Sequence, residues 1–127
     1  MVSESRKFGD TGEDIAVHYL LKRGYRIISR NYKNKIGEVD IVAGKTRRIY
    51  FFEVKTRLGS EKELFLPEQS VHPVKQEKLR RVCAMYLAEN KYKLSQEWQI
   101  DILAIIIDKS TKKATIRHIE NAVFGRR

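Results

Sequence analysis

Two short segments carry charged residues where a core-building hairpin would favour apolar ones: GlyGluValAspIleVal at positions 37–42 and PheGluValLysThr at 52–56. Both read as strands, and side chains alternate along a strand, so Glu38 and Asp40 share one face of theirs while Glu53 and Lys55 share one face of the other. A connecting turn with an even number of residues sets Asp40 directly or diagonally across from Glu53, and the two carboxylates converge. Like charges facing each other across a sheet repel. A divalent cation that favours oxygen ligands, Mg2+ or Mn2+, would neutralise them. Lys55 would lie beside the same point, placed to orient a water or to offset charge on a phosphate. These are the parts for metal-assisted hydrolysis of a phosphodiester. Glu13, in the first turn of a preceding helix, is a third acidic candidate. Each residue alone has a plainer reading: Glu53 and Lys55 as an ion-pair ladder with Glu38 and Arg57 on a solvated face, Glu13 as an acid favoured at a helix N-terminus by the dipole. Their combination, with Asp40 thirteen positions before Glu53, favours the chemical reading.

Several elements must hold these groups. Thr11 followed by Asp14 has the form of a capping box, and Ile15, Ala16, Tyr19 and Leu20 recur at helical spacing before Gly24 closes a first helix. Tyr25 to Tyr32 reads as a short strand with imperfect alternation. Ile36 to Ala43 and Arg48 to Thr56 are rich in β-branched and aromatic residues and form a hairpin, with Gly44, Lys45 and Thr46 supplying the turn. The polar stretch from Arg57 to Gln69 reads as a loop. A second helix follows, capped by Ser70 with Pro73 in its first turn, its apolar stripe made of Val74, Leu79, Val82, Cys83, Tyr86 and Leu87. Trp98 to Ile107 and Thr115 to Ile119 form two further strands, joined by a turn at Asp108 to Lys113. The predicted order is α-β-β-β-α-β-β, an α/β fold in which helices flank a mixed β-sheet.

The chain has 127 residues, a length that suits a single domain spanning 1–127 and excludes two cores. Its longest apolar run, Ile102 to Ile107, is far short of a membrane span, and no apolar segment follows the basic start, which implies a cytoplasmic protein without a membrane partner. One cysteine, Cys83, excludes an internal disulfide and reads as a small core residue. With 26 Lys and Arg against 16 Asp and Glu the net charge is +10, and a polyanion is the first partner to consider. The basic residues cluster: no acid occurs from Ile15 to Gly37, where Arg26, Arg30, Lys33 and Lys35 fall, and Lys75, Lys78, Arg80 and Arg81 make a second run. Tyr32, Tyr50 and Phe65 are candidates for stacking on unpaired bases, although aromatic strand residues more often belong to a core.

The motifs resemble those of the PD-(D/E)xK nuclease superfamily and, more closely, those of the YraN family of uncharacterised bacterial proteins. The resemblance runs from GlyAspThrGlyGluAspIleAla at position 9, through GlyTyrArgIleIleSerArgAsnTyrLys, GlyGluValAspIleValAla and PhePheGluValLysThrArg, and then more weakly through SerValHisProValLysGlnGluLysLeu to AspIleLeuAlaIle, ending at Ile105. It implies a restriction-endonuclease-like fold related to Holliday-junction resolvases, and a metal-dependent endonuclease acting on DNA, branched or structured DNA included. Within that pattern Glu13 corresponds to the helix glutamate, Asp40 to the metal-binding aspartate, and Glu53 and Lys55 to the Glu-x-Lys pair. The backbone carbonyl of Val54 would be a further metal ligand. Lys75 and Gln76 correspond to polar helix positions facing the cleft, and Arg26, Arg30, Lys33, Lys35 and Arg57 are the expected backbone contacts to nucleic acid. Val39 stands where the superfamily has proline. Gln99 and Ile100 precede Asp101 where the family has an Arg-Phe pair, so Asp101 reads as a polar strand residue. Symmetrical cutting of two strands would suit a homodimer. The alternatives are a catalytically silent nucleic-acid-binding module on the same fold and a protein-interaction domain for acidic partners.

Overall fold

The computed structural model describes residues 4–59 and 73–123. The first helix, α1, spans Glu4–Lys22. It begins well before Thr11, so Thr11 and Asp14 are helix interior and the predicted capping box is not a cap. At Gly12 the helix runs hard against the sheet: a Cβ built there would lie 2.0 Å from Thr56 Oγ1. Gly12→Ala is therefore expected to destabilise the protein by roughly 2–3 kcal/mol through overpacking. Urea unfolding checks this, and Thr56→Ala in the same chain should recover part of the loss. Gly24 ends the helix as expected, at φ 88°, with its N–H bonded to Leu21 O at 3.1 Å and the Tyr25 N–H to Leu20 O at 3.0 Å. This is the Schellman closure that glycine permits.

Strand β1 is Arg26–Lys33, β2 is Glu38–Lys45 and β3 is Arg48–Leu58. The irregular alternation of β1 has a structural cause, a register shift against β2 between Ile27 and Ser29. The second strand starts at Glu38, not Ile36, because Asn34 folds 34–37 into a turn: its Oδ1 accepts the N–H groups of Ile36 at 2.9 Å and Gly37 at 3.2 Å. The hairpin turn is Thr46 and Arg47 alone, with Thr46 at φ 57°, and Gly44 and Lys45 belong to β2. Two is an even number, so the expected pairing parity holds from Lys45↔Arg48 to Ile41↔Phe52.

Strand β3 runs past Thr56 to Leu58 because it pairs in parallel with β4, Trp98–Ile107, from Ile49↔Trp98 to Leu58↔Ile107. The rest of the predicted loop, with Phe65 and the cap Ser70, lies outside the described residues. Helix α2, Pro73–Glu89, connects these parallel strands, and β5, Ala114–Ile119, pairs antiparallel with β4 after the expected turn. The sheet order is β1-β2-β3-β4-β5.

Helices cover opposite faces. Ala16 and Leu20 of α1 pack on Ile41, Ala43, Phe52, Leu103 and Ile105, while Leu79, Cys83 and Tyr86 of α2 pack on Val42, Phe51 and Ile100. Cys83 is a buried core residue, as expected. Strand β4, between β3 and β5, is buried on both faces, which explains its unbroken apolar run. The architecture is the restriction-endonuclease-like α/β arrangement in the expected element order. Among the described residues no helix is long and apolar enough to cross a membrane.

Candidate active site

The β2–β3 ladder stops at Ile41↔Phe52, and one residue further on Asp40 and Glu53 take up the same face, that of α2. Where the next ladder bond would form, Asp40 Oδ2 instead accepts the Val54 N–H at 2.7 Å. A residue in an extended strand directs its N–H and C=O to the same neighbour. The Val54 carbonyl therefore faces the Asp40 side as well.

Glu53 Oε1 lies 3.9 Å from Lys55 Nζ and 3.8 Å from Lys75 Nζ, the latter supplied by the first turns of α2. Both separations exceed hydrogen-bond length, so the lysines balance the charge of Glu53 without gripping it. Burial and then the Glu53 charge push the Asp40 carboxyl up to about 7, against the opposing pull of the Val54 N–H. Burial and then the neighbouring Lys75 move the Lys55 ammonium below its ordinary value, whereas the closeness of Lys55 and Glu53 holds Lys75 above its own. A carboxylate pair under this strain, with a carbonyl on the same side, is a set of hard oxygen donors that fits Mg2+ or Mn2+.

Asp40, Glu53 and Lys75 line a cleft of about 700 Å³ between the 34–37 turn and α2. Lys33, Lys35, Lys75 and Lys78 all border it, but Gln76 does not. Asn34 ties the two walls together, its Nδ2 donating to Val82 O at 3.3 Å and to Tyr32 Oη at 3.0 Å. Asn34 went unremarked in the sequence, although Asn three places before Gly is a turn signal.

The remaining expected residues are scattered. Glu13, on α1, contributes to the field that raises Asp40 but is held by Arg30, whose Nε reaches Glu13 Oε1 at 3.2 Å while Nη2 reaches Asp14 Oδ1 at 2.8 Å. Arg30 thus has an intramolecular partner. Lys33 pairs with Glu38 at 3.7 Å, both side chains being exposed. Arg57 is exposed on β3 beyond Lys55. Arg26 pairs with Gly44 at the far end of β1, seven residues from Lys33, which at a strand's rise is roughly 23 Å. Tyr32 and Tyr50 are packed edge-on against Tyr86 and Tyr25, and the Tyr32 hydroxyl donates to Glu89, so neither is an open stacking platform.

Asp101 is more than a polar strand residue: it is fully buried. Its Oδ1 accepts from Gln99 Nε2 and the Asn121 N–H, both at 2.8 Å, and Oδ2 lies 2.7 Å from His118 Nε2, whose Nδ1 is 3.1 Å from the Tyr19 hydroxyl. This network ties β4, β5 and α1 together. Asp101, His118 and Glu120 bring ligand-type atoms within 4.8 Å of one another, yet both Asp101 oxygens are already engaged.

The sequence model of the family described as uncharacterised protein family UPF0102 matches residues 12–105, which include every group around the cleft. Relatives bearing that family's name are similar over nearly their whole length. One from Alkaliphilus oremlandii is 40% identical over 93% of this chain and 98% of its own. One from Thermodesulfovibrio yellowstonii is 38% identical over 93% and 96%, and one from Dictyoglomus thermophilum is 36% identical over 93% and 98%. The chain belongs to the UPF0102 family, the YraN family that its motifs resemble.

Proposed function

We propose that the protein is a metal-dependent endonuclease that hydrolyses phosphodiester bonds of DNA, with branched or structured DNA as the preferred substrate. One observation carries the reading: Asp40 and Glu53 line one cleft together with Lys33, Lys35, Lys75 and Lys78, and Lys55 stands 3.9 Å from Glu53. Asp40, Glu53 and the Val54 carbonyl would hold Mg2+ or Mn2+. When bound, such an ion supplies Lewis acidity and makes a water more acidic. Lys55 orients the attacking water and offsets charge gathering on the phosphate. Glu13, steadied by Arg30, adds negative charge behind Asp40. The rim lysines hold the sugar-phosphate backbone, which gives affinity without base reading.

The test is cleavage of labelled single-stranded, duplex, flap and four-way-junction DNA with Mg2+ or Mn2+. Cutting that requires the metal supports the reading. Salt-sensitive binding with no cutting of any substrate would favour a silent binding module instead. The slope of log affinity against log salt separates the basic residues. Replacing Lys35 by Gln is expected to flatten it by about 0.9, whereas Arg30→Gln, already paired within the chain, should leave it nearly unchanged.

A further inference from the structure

Lys75 stands out because it comes from a different element than the rest of the site. Asp40, Glu53 and Lys55 are fixed by one hairpin, whereas Lys75 reaches Glu53 from α2, with its side chain 47% exposed. Its 3.8 Å approach is an ion pair at the outer limit, and a second ammonium, that of Lys55, sits 3.9 Å from the same oxygen. Two ammonium groups share that one carboxylate oxygen and repel each other. A cation entering at Glu53 would meet both positive charges, and the one with a flexible, half-exposed stem is the one free to leave. Lys75 also borders the cleft shared with Lys33, Lys35 and Lys78. An ammonium released from Glu53 therefore stays where a phosphate would be held.

We propose that Lys75 is an exchangeable counter-ion, paired with Glu53 when no divalent cation is present and transferred to the phosphate of a bound strand when a cation takes Glu53. This rests on the metal-dependent reading above and adds a coupling to it. The cation and the strand bind cooperatively, because each removes Lys75 from the place the other would disturb.

Calorimetric titration of Mn2+ into the full chain tests this without reference to turnover. Lys75→Met is expected to bind Mn2+ about tenfold more tightly than the native protein, since a competing charge at 3.8 Å is gone. Lys78→Met, which removes a cleft lysine not paired with Glu53, should change the affinity less than twofold. A dinucleotide methylenephosphonate, charged like the natural diester but resistant to hydrolysis, should bind the native protein more tightly with Mn2+ than without, and Lys75→Met should lose most of that gain. Circular dichroism confirms folding, and Lys75→Gln serves as a second variant should Met perturb α2. Equal Mn2+ affinity of Lys75→Met and native protein, or an equal gain in Lys78→Met, would overturn the exchange while leaving the metal reading intact. Absence of Mn2+ binding to both the native protein and Lys75→Met would overturn the metal reading and the exchange with it.

Discussion

Glu53→Gln is expected to reduce metal-dependent cleavage of DNA by roughly a thousandfold, the scale on which removal of a group acting directly on the reacting atoms is felt. The substitution keeps the side chain's size and its place on β3, so shape is not what changes. The negative charge is lost, and with it both a hard ligand and the anion that balances Lys55 and Lys75. Folding should survive, because the carboxylate that presses on Asp40 has gone and the burden on that buried acid is lighter. Single-turnover cleavage of the preferred substrate, beside a thermal melt, checks both halves. Retention of activity within tenfold would remove Glu53 from the chemistry.

The second large effect is on stability. Asp40 holds its proton up to about pH 7 in the folded protein, against an ordinary value of 3.8. The folded state therefore binds this proton more tightly than the unfolded chain does, and the stability it confers is complete below about pH 4. That contribution is lost as the pH rises through about 7. At pH 8 without divalent ions, Asp40→Asn is accordingly expected to be more stable than the native protein by roughly 2–4 kcal/mol, because the amide keeps an acceptor for the Val54 N–H but carries no charge. At pH 4 the difference should vanish. Urea unfolding across this range measures it. Millimolar Mn2+ at pH 8 should raise the melting temperature of the native protein and leave Asp40→Asn unmoved. A native protein no less stable at pH 8 than the variant would mean that Asp40 is not strained.

What could be read from the residues, and what could not, divides along sequence distance. Parity along two adjacent strands is a local property, so the meeting of Asp40 and Glu53 followed from alternation once the turn had an even length. Thr11 and Asp14 were misread as a capping box for the opposite reason. A glycine beside Thr11 suits a helix start, and only the approach of Thr56, forty-four residues away, explains Gly12 inside the helix. Arg30 and Arg26 belong to one basic run, yet the first is spent on Glu13 and Asp14 and the second lies at the opposite end of the strand from the cleft. Charge density along a chain does not say which cations the fold has already paired. Asp101 shows the same limit from inside: alternation gave it a polar face, whereas β5 and the turn after it bury it and satisfy its oxygens.

The two-residue turn at Thr46 and Arg47 gives the site an unexpected dependency. From Lys45 to Asp40 is five residues, roughly 17 Å along the strand, so the turn touches nothing in the cleft. It nevertheless decides which surface of the sheet Asp40 occupies, since shifting the pairing by one residue exchanges every inward and outward side chain. Turn length acts here as a parity bit for the chemistry. A loop that lengthened by a single residue during evolution would part the carboxylates while leaving all of them in the sequence, so the intervening count, as much as the acids themselves, identifies relatives able to assemble this centre.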